Sequence, residues 1–296
     1  MRTTSIFKGV ATALVTPFTE TGVDYPAFER LINWQIESGI NALVICGTTG
    51  ESSTMDDAEH REVLEFALKV NAGRVPMIAG TGSNDTRYAI ELTRHACEIG
   101  YDAVLVVTPY YNKTTQRGLV AMFNAIADVA TKPIILYNVP SRTGVNIAPE
   151  TFVELAKHPQ IAAIKAASGD ISNIVTTSAL IGKDLDIYSG NDDQIVPIMS
   201  VGGIGVISVL SNVCPKETVE MCDKWFAGDV QGSLDLQLKY LPLCHDLFCE
   251  VNPIPAKAAV AAMGFGENIV RLPLVTMSKD KEAHMLSVMR DLDIEV

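Results

Sequence analysis

The sequence has no excess of basic residues, because 35 Asp and Glu side chains outnumber 23 Lys and Arg and leave a formal net charge of -12. Proteins that bind nucleic acid by its phosphates present clustered Lys and Arg, whereas the charged residues here are spread along the chain. We therefore expect no nucleic-acid partner.

Metal-binding cysteine patterns and membrane segments are also lacking. The six cysteines form no C-x-x-C pair and no Cys/His ligand spacing, so we expect buried, reduced thiols and neither a metal site nor a disulfide framework. The first apolar stretch is interrupted at Lys8 and Gly9, unlike a signal peptide, and no run reaches membrane length. These features favour a cytoplasmic protein that is not bound to a membrane.

What the sequence does contain is a repeating pattern of short apolar runs and longer amphipathic segments. The runs are Val10–Pro17, Ala42–Gly47, Pro76–Gly82, Ala103–Pro109, Pro133–Pro140, Ile161–Ala167, Asp186–Gly190 and Gly205–Ser211. The segments at helical spacing include Tyr25–Ser38, Asp56–Asn71, Asp85–Ile99 and Thr115–Ala130, with Asp or Asn near several starts as helix caps. This alternation is typical of βα units around a parallel sheet. The repeats predict a closed (β/α)8 TIM barrel, with a doubly wound open sheet as the alternative.

The chain after the eighth run has a helical pattern only, near Val230–Phe248, Ile254–Met263 and Lys279–Leu292. We therefore predict a catalytic α/β barrel over residues 1–228 and a C-terminal helical extension over residues 229–296. No Gly/Ser-rich linker or low-complexity stretch suggests a further division.

Lys165 is the first candidate for chemistry, because reactive groups in such barrels lie at the C-terminal ends of strands. It stands in an apolar run on the same face as Ala163 and Ala167. Burial can lower the pKa of a lysine from about 10.4 and supply a neutral amine that attacks a carbonyl. The alternative is a lysine whose ammonium group reaches water at the strand end.

Two other strand ends carry polar groups that suit a ligand. Tyr137 ends the fifth run, one strand before Lys165, where it can relay protons or simply pack as a core aromatic. The segment Gly47–Ser52 follows the second run, and its glycines and hydroxyls can hold a carboxylate or merely form a turn and helix cap.

Together these segments resemble the signature motifs of the dihydrodipicolinate synthase family of pyruvate-dependent class I aldolases, whose superfamily includes N-acetylneuraminate lyase. The matching motifs, which run through essentially the whole chain, are Val15–Phe18, Gly47–Glu51, Val107–Tyr111, Tyr137–Gly144, Ile164–Gly169, Ser189–Asp192 and Gly205–Ser208. Each motif is short, but their order and spacing are specific. The resemblance implies a Schiff-base enzyme on a (β/α)8 barrel.

The resemblance also implies roles for particular residues. Lys165 would form the imine with pyruvate, Tyr137 would transfer protons, and Thr48 and Tyr111 would link Tyr137 to solvent. Tyr111 would do so in a neighbouring subunit, which implies a homo-oligomer, either a dimer or the tetramer usual in this family.

Substrate contacts follow from the same resemblance. Thr49 would hold the pyruvate carboxylate, and Gly190 and Ile207 would line the pocket. Arg142 suits a second substrate that bears a carboxylate and favours the synthase branch over the lyase branch. The implied reaction condenses pyruvate with L-aspartate 4-semialdehyde, and it needs no cofactor because the protonated imine acts as the electron sink.

An allosteric L-lysine pocket is implied by four positions that match lysine-sensitive members of the family: Ser52, His60, Asn84 and Tyr110. Two positions depart from that pattern, since Asp57 stands where those members often have His and Tyr88 where they often have Glu. Feedback inhibition by lysine therefore does not follow from the resemblance.

Two rival interpretations remain on the sequence alone. The glycines of Gly202–Gly205 can expose backbone donors to a phosphate, as in a flavin- or phosphate-binding barrel. A non-catalytic barrel that serves as a binding module would keep the fold and lose the reactive groups, but those groups are intact here.

Overall fold

The computed structural model describes residues 5–296. Residues 1–4, at which the predicted barrel domain begins, lie outside the described residues. The strands are β1 (Gly9–Ala13), β2 (Phe18–Thr19), β3 (Gly22–Val23), β4 (Ala42–Ile45), β5 (Met77–Gly80), β6 (Ala103–Val107), β7 (Ile134–Asn138), β8 (Ile161–Ala166), β9 (Asp186–Ser189) and β10 (Gly205–Ser208). The strands β2 and β3 pair as a small antiparallel sheet.

The other strands form a closed barrel in the order β1-β10-β9-β8-β7-β6-β5-β4. Each of these barrel strands overlaps one of the apolar runs, and all except β1, which begins at Gly9, lie within their run. The predicted (β/α)8 barrel is thus confirmed, and the doubly wound open sheet is wrong because the sheet has no free edge strand.

The helices are α1 (Tyr25–Glu37), α2 (Asp57–Asn71), α3 (Thr86–Ile99), α4 (Gln116–Ala127), α5 (Pro140–Thr143), α6 (Pro149–Leu155), α7 (Ile171–Ile181), α8 (Ile195–Ser200), α9 (Pro215–Phe226), α10 (Val230–Asp246), α11 (Ile254–Ala262) and α12 (Lys279–Asp291). Several begin one residue after a capping side chain. Asp56 accepts a hydrogen bond from the Glu59 amide, and Thr115 accepts one from the Gly118 amide. Such caps satisfy amides that have no partner within the helix, which is why the helices begin there.

Contacts group the described chain into two compact units, one of which contains residues 5–8 and Pro76–Ile207. In this unit the strands from β5 onward pair in parallel, and the register places Lys165 between Tyr137 on β7 and Tyr188 on β9. The Tyr188 hydroxyl donates to the Phe7 carbonyl at 2.7 Å, and the two rings stack at 4.2 Å. The strands are buried on both faces, as their apolar sequence predicts.

The other unit contains Gly9–Val75 and Ser208–Val296. Here β1 pairs in parallel with β4, and the buried Gln35 of α1 accepts from the Thr12 hydroxyl at 2.7 Å and donates to the Ser211 carbonyl at 2.8 Å. The helices α10, α11 and α12 bear out the helical pattern predicted for the C-terminal segment, and α12 buries Met285 and Met289. The boundary after residue 228 stays a prediction.

Within residues 5–296, no helix combines the length and apolar character needed to cross a membrane. All six cysteines are free thiols, five of them buried, with Cys249 exposed. The described residues also contain no group of three or more His, Cys, Asp or Glu side chains placed to hold a metal ion.

Candidate active site

Lys165 lies next to the C-terminal end of a fully buried strand, β8, with only 5% of its surface exposed. Its Nζ atom is 4.3 Å from the centre of the Tyr137 ring, and Tyr137 is its direct partner in the register of β7 and β8. The alternative of a lysine whose ammonium group reaches water at the strand end is therefore wrong. A buried amine beside a phenol is an arrangement suited to nucleophilic attack assisted by proton transfer.

The protonation of Lys165 is set mainly by its burial. Burial lowers the pKa of Lys165 from 10.5 to about 7, the negative charge of Asp192 raises it, and the positive charge of Arg142 lowers it. At neutral pH roughly half of the amine is then uncharged, whereas a lysine in water is neutral in roughly one molecule in a few thousand. The site thus gains about three orders of magnitude in the nucleophilic form.

Gly190 lies against the stem of Lys165, at the end of β9. Its amide donates to the Ala166 carbonyl at 2.7 Å, and a Cβ atom placed there would lie 3.1 Å from Cγ of Lys165 and 2.8 Å from Cβ of Ala167. Ile207 is fully buried on the neighbouring strand β10. It comes directly after Val206, which is paired with Ser189 of β9. The absence of a side chain at Gly190 therefore lets its backbone pack closely against the stem of Lys165 and against Ala167.

Arg142 lies on α5, the short helix that follows β7 directly. Pro140 at the start of α5 and Gly144, with φ of 67° at its end, limit this helix to one turn. The buried Thr143 accepts a hydrogen bond from Thr108 at 3.0 Å, which fixes the turn to the end of β6. The side chain of Arg142 is exposed, and its positive charge lowers the pKa of Lys165.

Tyr111 projects away from the rest of its unit, with 93% of its surface exposed. Its backbone has φ of 70°, a conformation that costs energy for a residue with a large side chain. The loop is held by Asn112, whose amide donates to the Tyr110 carbonyl and whose side chain donates to the Asn84 carbonyl, both at 2.9 Å. In the single chain, the side chain of Tyr111 is therefore not buried against other residues.

Thr48 and Thr49 follow β4 and belong to the other compact unit. Thr48 is exposed, whereas Thr49 is 3% exposed and its hydroxyl accepts a hydrogen bond from the Asn252 side chain at 3.0 Å. Glu51 has φ of 55° and is also buried. The alternative reading of this segment as only a turn and helix cap does not account for its buried polar contacts.

The residues of the implied lysine pocket are divided between the two units. Ser52 begins a 3-10 turn and is partly exposed, whereas His60 is buried in α2. Asn84 and Tyr110 lie in the unit of Lys165, where both are linked to Asn112. Asp57, one of the departures from the family pattern, is engaged by Arg61 at 2.9 Å.

Several residues with no distinctive sequence signal contact predicted site residues or their neighbours, or influence them by their charge. Asp192 is buried and its negative charge raises the pKa of Lys165, although in the sequence it is only the last residue of the motif Ser189–Asp192. Asn252 and Lys257 contact Thr49 and Glu51 from a segment about 200 residues further along the chain. A polar residue at a strand end could have indicated Asp192, but no local pattern indicates Asn252.

The glycines that suggested a phosphate site do not present free donors. The amides of Gly202, Gly203 and Ile204 donate to the carbonyls of Met199, Ile198 and Ile187, respectively. This turn also precedes β10, whereas barrel active sites lie after the strands. The flavin- or phosphate-binding interpretation therefore loses its only support.

Comparison with known proteins identifies the family of the chain. The model of the Dihydrodipicolinate synthetase family matches residues 6–292. The 4-hydroxy-tetrahydrodipicolinate synthase of Clostridium tetani is 54% identical over 276 residues, which cover 93% of this chain and 94% of that protein. The names of such relatives favour the synthase branch over N-acetylneuraminate lyase.

Solved structures of this kind include complexes with small molecules. The dihydrodipicolinate synthase of Acinetobacter baumannii, complexed with pyruvate, has a TM-score of 0.95 and 42% identity, and the match covers 97% of this chain and 99% of that one. The enzyme of Cyanidioschyzon merolae, with lysine bound, has a TM-score of 0.93 and 39% identity, covering 97% of this chain and 98% of that one.

Proposed function

The chain belongs to the dihydrodipicolinate synthetase family, and we propose on that premise that Lys165 is the residue that forms its imine with pyruvate. The enzyme condenses pyruvate with L-aspartate 4-semialdehyde, the step that leads to lysine and diaminopimelate. The observation that supports the role of Lys165 most directly is its buried amine beside Tyr137, with a pKa of about 7 that leaves roughly half of it neutral at pH 7.

The chemistry at Lys165 starts with attack of the neutral amine on the C2 carbonyl of pyruvate. Water leaves, and the protonated imine that forms withdraws electrons from the methyl group, which loses a proton to give an enamine. The enamine carbon attacks the aldehyde of the semialdehyde. The amino group of the second substrate then displaces Lys165 from C2, closes the ring of 4-hydroxytetrahydrodipicolinate and releases the free amine.

Tyr137 is the proposed proton-transfer group for these steps, since it is the direct strand partner of Lys165. Thr48 and Tyr111 would connect its hydroxyl to solvent. The exposed Tyr111, held on a strained backbone, supports a role in a second copy of the chain, which would make the active enzyme at least a dimer. A dimer or tetramer is therefore part of the proposal.

The carboxylates of the two substrates would be held by different residues. Thr49 would bind the carboxylate of pyruvate, next to a pocket lined by Gly190 and Ile207. Arg142 would bind the carboxylate of L-aspartate 4-semialdehyde, because an exposed guanidinium whose charge reaches Lys165 can hold an anion at the entrance of the site.

L-Lysine is the proposed effector at Ser52, His60, Asn84 and Tyr110, supported by the lysine-bound relative. Because Asp57 is engaged by Arg61, it would not replace the His that sensitive relatives often carry, and inhibition should be weak. The six free thiols support the proposal that the enzyme works in the reducing cytoplasm.

The test of the proposed function is an assay of the purified protein with pyruvate and L-aspartate 4-semialdehyde, run beside an assay with N-acetylneuraminate. We expect turnover of the first pair and none of the second. Turnover of N-acetylneuraminate alone would move the chain to the lyase branch and remove the proposed role of Arg142.

A further inference from the structure

A buried polar cluster connects the segment after β4 with the C-terminal segment that contains α11. The Asn252 side chain donates to the Thr49 hydroxyl at 3.0 Å, and the Lys257 ammonium donates to the Glu51 carboxylate at 2.7 Å. The backbone amide of Arg271 donates to the second Glu51 oxygen at 3.0 Å. All these contacts lie within one compact unit, and they span more than 200 residues of sequence.

The ion pair in this cluster is fully removed from water. The side chains of Lys257 and Glu51 are 2% and 1% exposed, and the Lys257 ammonium also lies 4.0 Å from the centre of the Phe18 ring. Taking two charges out of water is costly, and such a pair is often no more stabilising than apolar side chains of the same size. The ion pair does fix the position of Glu51, and with it the backbone that carries Thr49 two residues earlier.

The hydrogen bond from Asn252 determines what the Thr49 hydroxyl can do. A hydroxyl has one proton and can accept at its lone pairs, whereas the amide NH2 of Asn can only donate. Because Thr49 Oγ1 accepts from Asn252, its own proton is left to point elsewhere. A carboxylate accepts hydrogen bonds and cannot donate them, so a hydroxyl held in this state matches it.

We propose that Asn252 is a positioning residue for pyruvate, which keeps the Thr49 hydroxyl oriented as a donor to the pyruvate carboxylate. The proposal rests on the proposed role of Thr49 as the carboxylate-binding residue. The C-terminal segment would then contribute to substrate binding through Asn252, although Asn252 does not touch the reacting atoms.

Replacement of Asn252 by Asp tests this orientation, because Asp has nearly the same shape and cannot donate when ionised. Its carboxylate would draw the Thr49 proton towards itself and place a negative charge near that of pyruvate. We expect the KM for pyruvate to rise roughly ten- to a hundred-fold in Asn252→Asp and roughly three- to ten-fold in Asn252→Ala. In both, kcat and the KM for the semialdehyde should change less than about two-fold.

The matched control is Asn268→Asp, which adds the same charge to the same C-terminal segment at a residue that donates to Glu282 instead. Its KM for pyruvate should stay at the value of the unmodified enzyme. Thermal unfolding of each variant shows whether the protein is folded at the assay temperature. If Asn252→Asp does not fold, the smaller effect expected of Asn252→Ala carries the test alone.

Thr49→Val separates this inference from the proposed function. If Thr49→Val leaves the KM for pyruvate unchanged, Thr49 does not hold the carboxylate and the proposed function fails at that point. If Thr49→Val raises that KM but a folded Asn252→Asp does not, the positioning role is refuted. The double variant Thr49→Val with Asn252→Ala should be no worse than Thr49→Val alone, because Asn252 acts through Thr49.

Discussion

The pH dependence of imine formation should shift in opposite directions when the two charges near Lys165 are removed. Burial is the largest influence on the pKa of Lys165, Asp192 raises that pKa and Arg142 lowers it, and together they bring it to about 7. Asp192→Asn should therefore lower the pKa and increase the neutral amine at acidic pH. Arg142→Ala should raise the pKa and decrease the neutral amine at pH 7.

The size of the effect follows from the fraction of neutral amine. With a pKa of about 7, Lys165 is neutral in roughly one molecule in ten at pH 6 and in nearly all molecules at pH 9. A decrease of about one pKa unit would bring the neutral fraction at pH 6 to roughly one half, a gain of about five-fold. At pH 9 the variants and the unmodified enzyme should be nearly equal.

The assay is the initial rate of borohydride trapping at subsaturating pyruvate, measured from pH 5.5 to about pH 9.5, with intact mass as the readout. If the trapping rates of all three proteins depend on pH in the same way, with no shift between the curves, the electrostatic account of Lys165 is refuted. A shift of both variants in the same direction would show that loop disruption, and not charge, changes the amine.

Three further changes test other parts of the site. Arg142→Ala, assayed at pH 9 to remove its effect on Lys165, should lower kcat/KM for the semialdehyde roughly ten-fold to several-hundred-fold with near-normal pyruvate trapping, and an unchanged value would exclude Arg142 from substrate binding. Gly190→Ala should slow trapping and destabilise the fold by about 1–3 kcal/mol in urea, since its Cβ would lie 3.1 Å from Cγ of Lys165. Mixing inactive Tyr111→Phe with inactive Lys165→Ala should restore some activity through hybrid dimers, whereas a fully active monomer would rule out the shared relay.

Much of the fold could be predicted because strands and helices leave local patterns. The buried strands read as apolar runs, and capping residues such as Asp56 and Thr115 mark where helices begin. The position of Lys165 in a buried strand could be predicted for the same reason, since a lone lysine in an apolar run departs from the pattern around it.

The remaining parts of the site depend on contacts between residues far apart in the chain. Asn252 meets Thr49 across 203 positions, and neither residue stands in a pattern that points to the other. The effect of Asp192 on Lys165 likewise depends on how strands β8 and β9 align and where the turn after β9 goes. Such pairings appear only once the chain is folded.

Two buried lysines allow a direct test of the central claim that Lys165 is the nucleophile. Burial lowers the pKa of both, to about 7 for Lys165 and about 8 for Lys257, but the Lys257 ammonium is held by Glu51. The measurement is peptide mass mapping after borohydride reduction of the enzyme with pyruvate. The account predicts one adduct, on Lys165, that disappears in Lys165→Ala. An adduct on Lys257, or full synthase activity in Lys165→Ala, would contradict it.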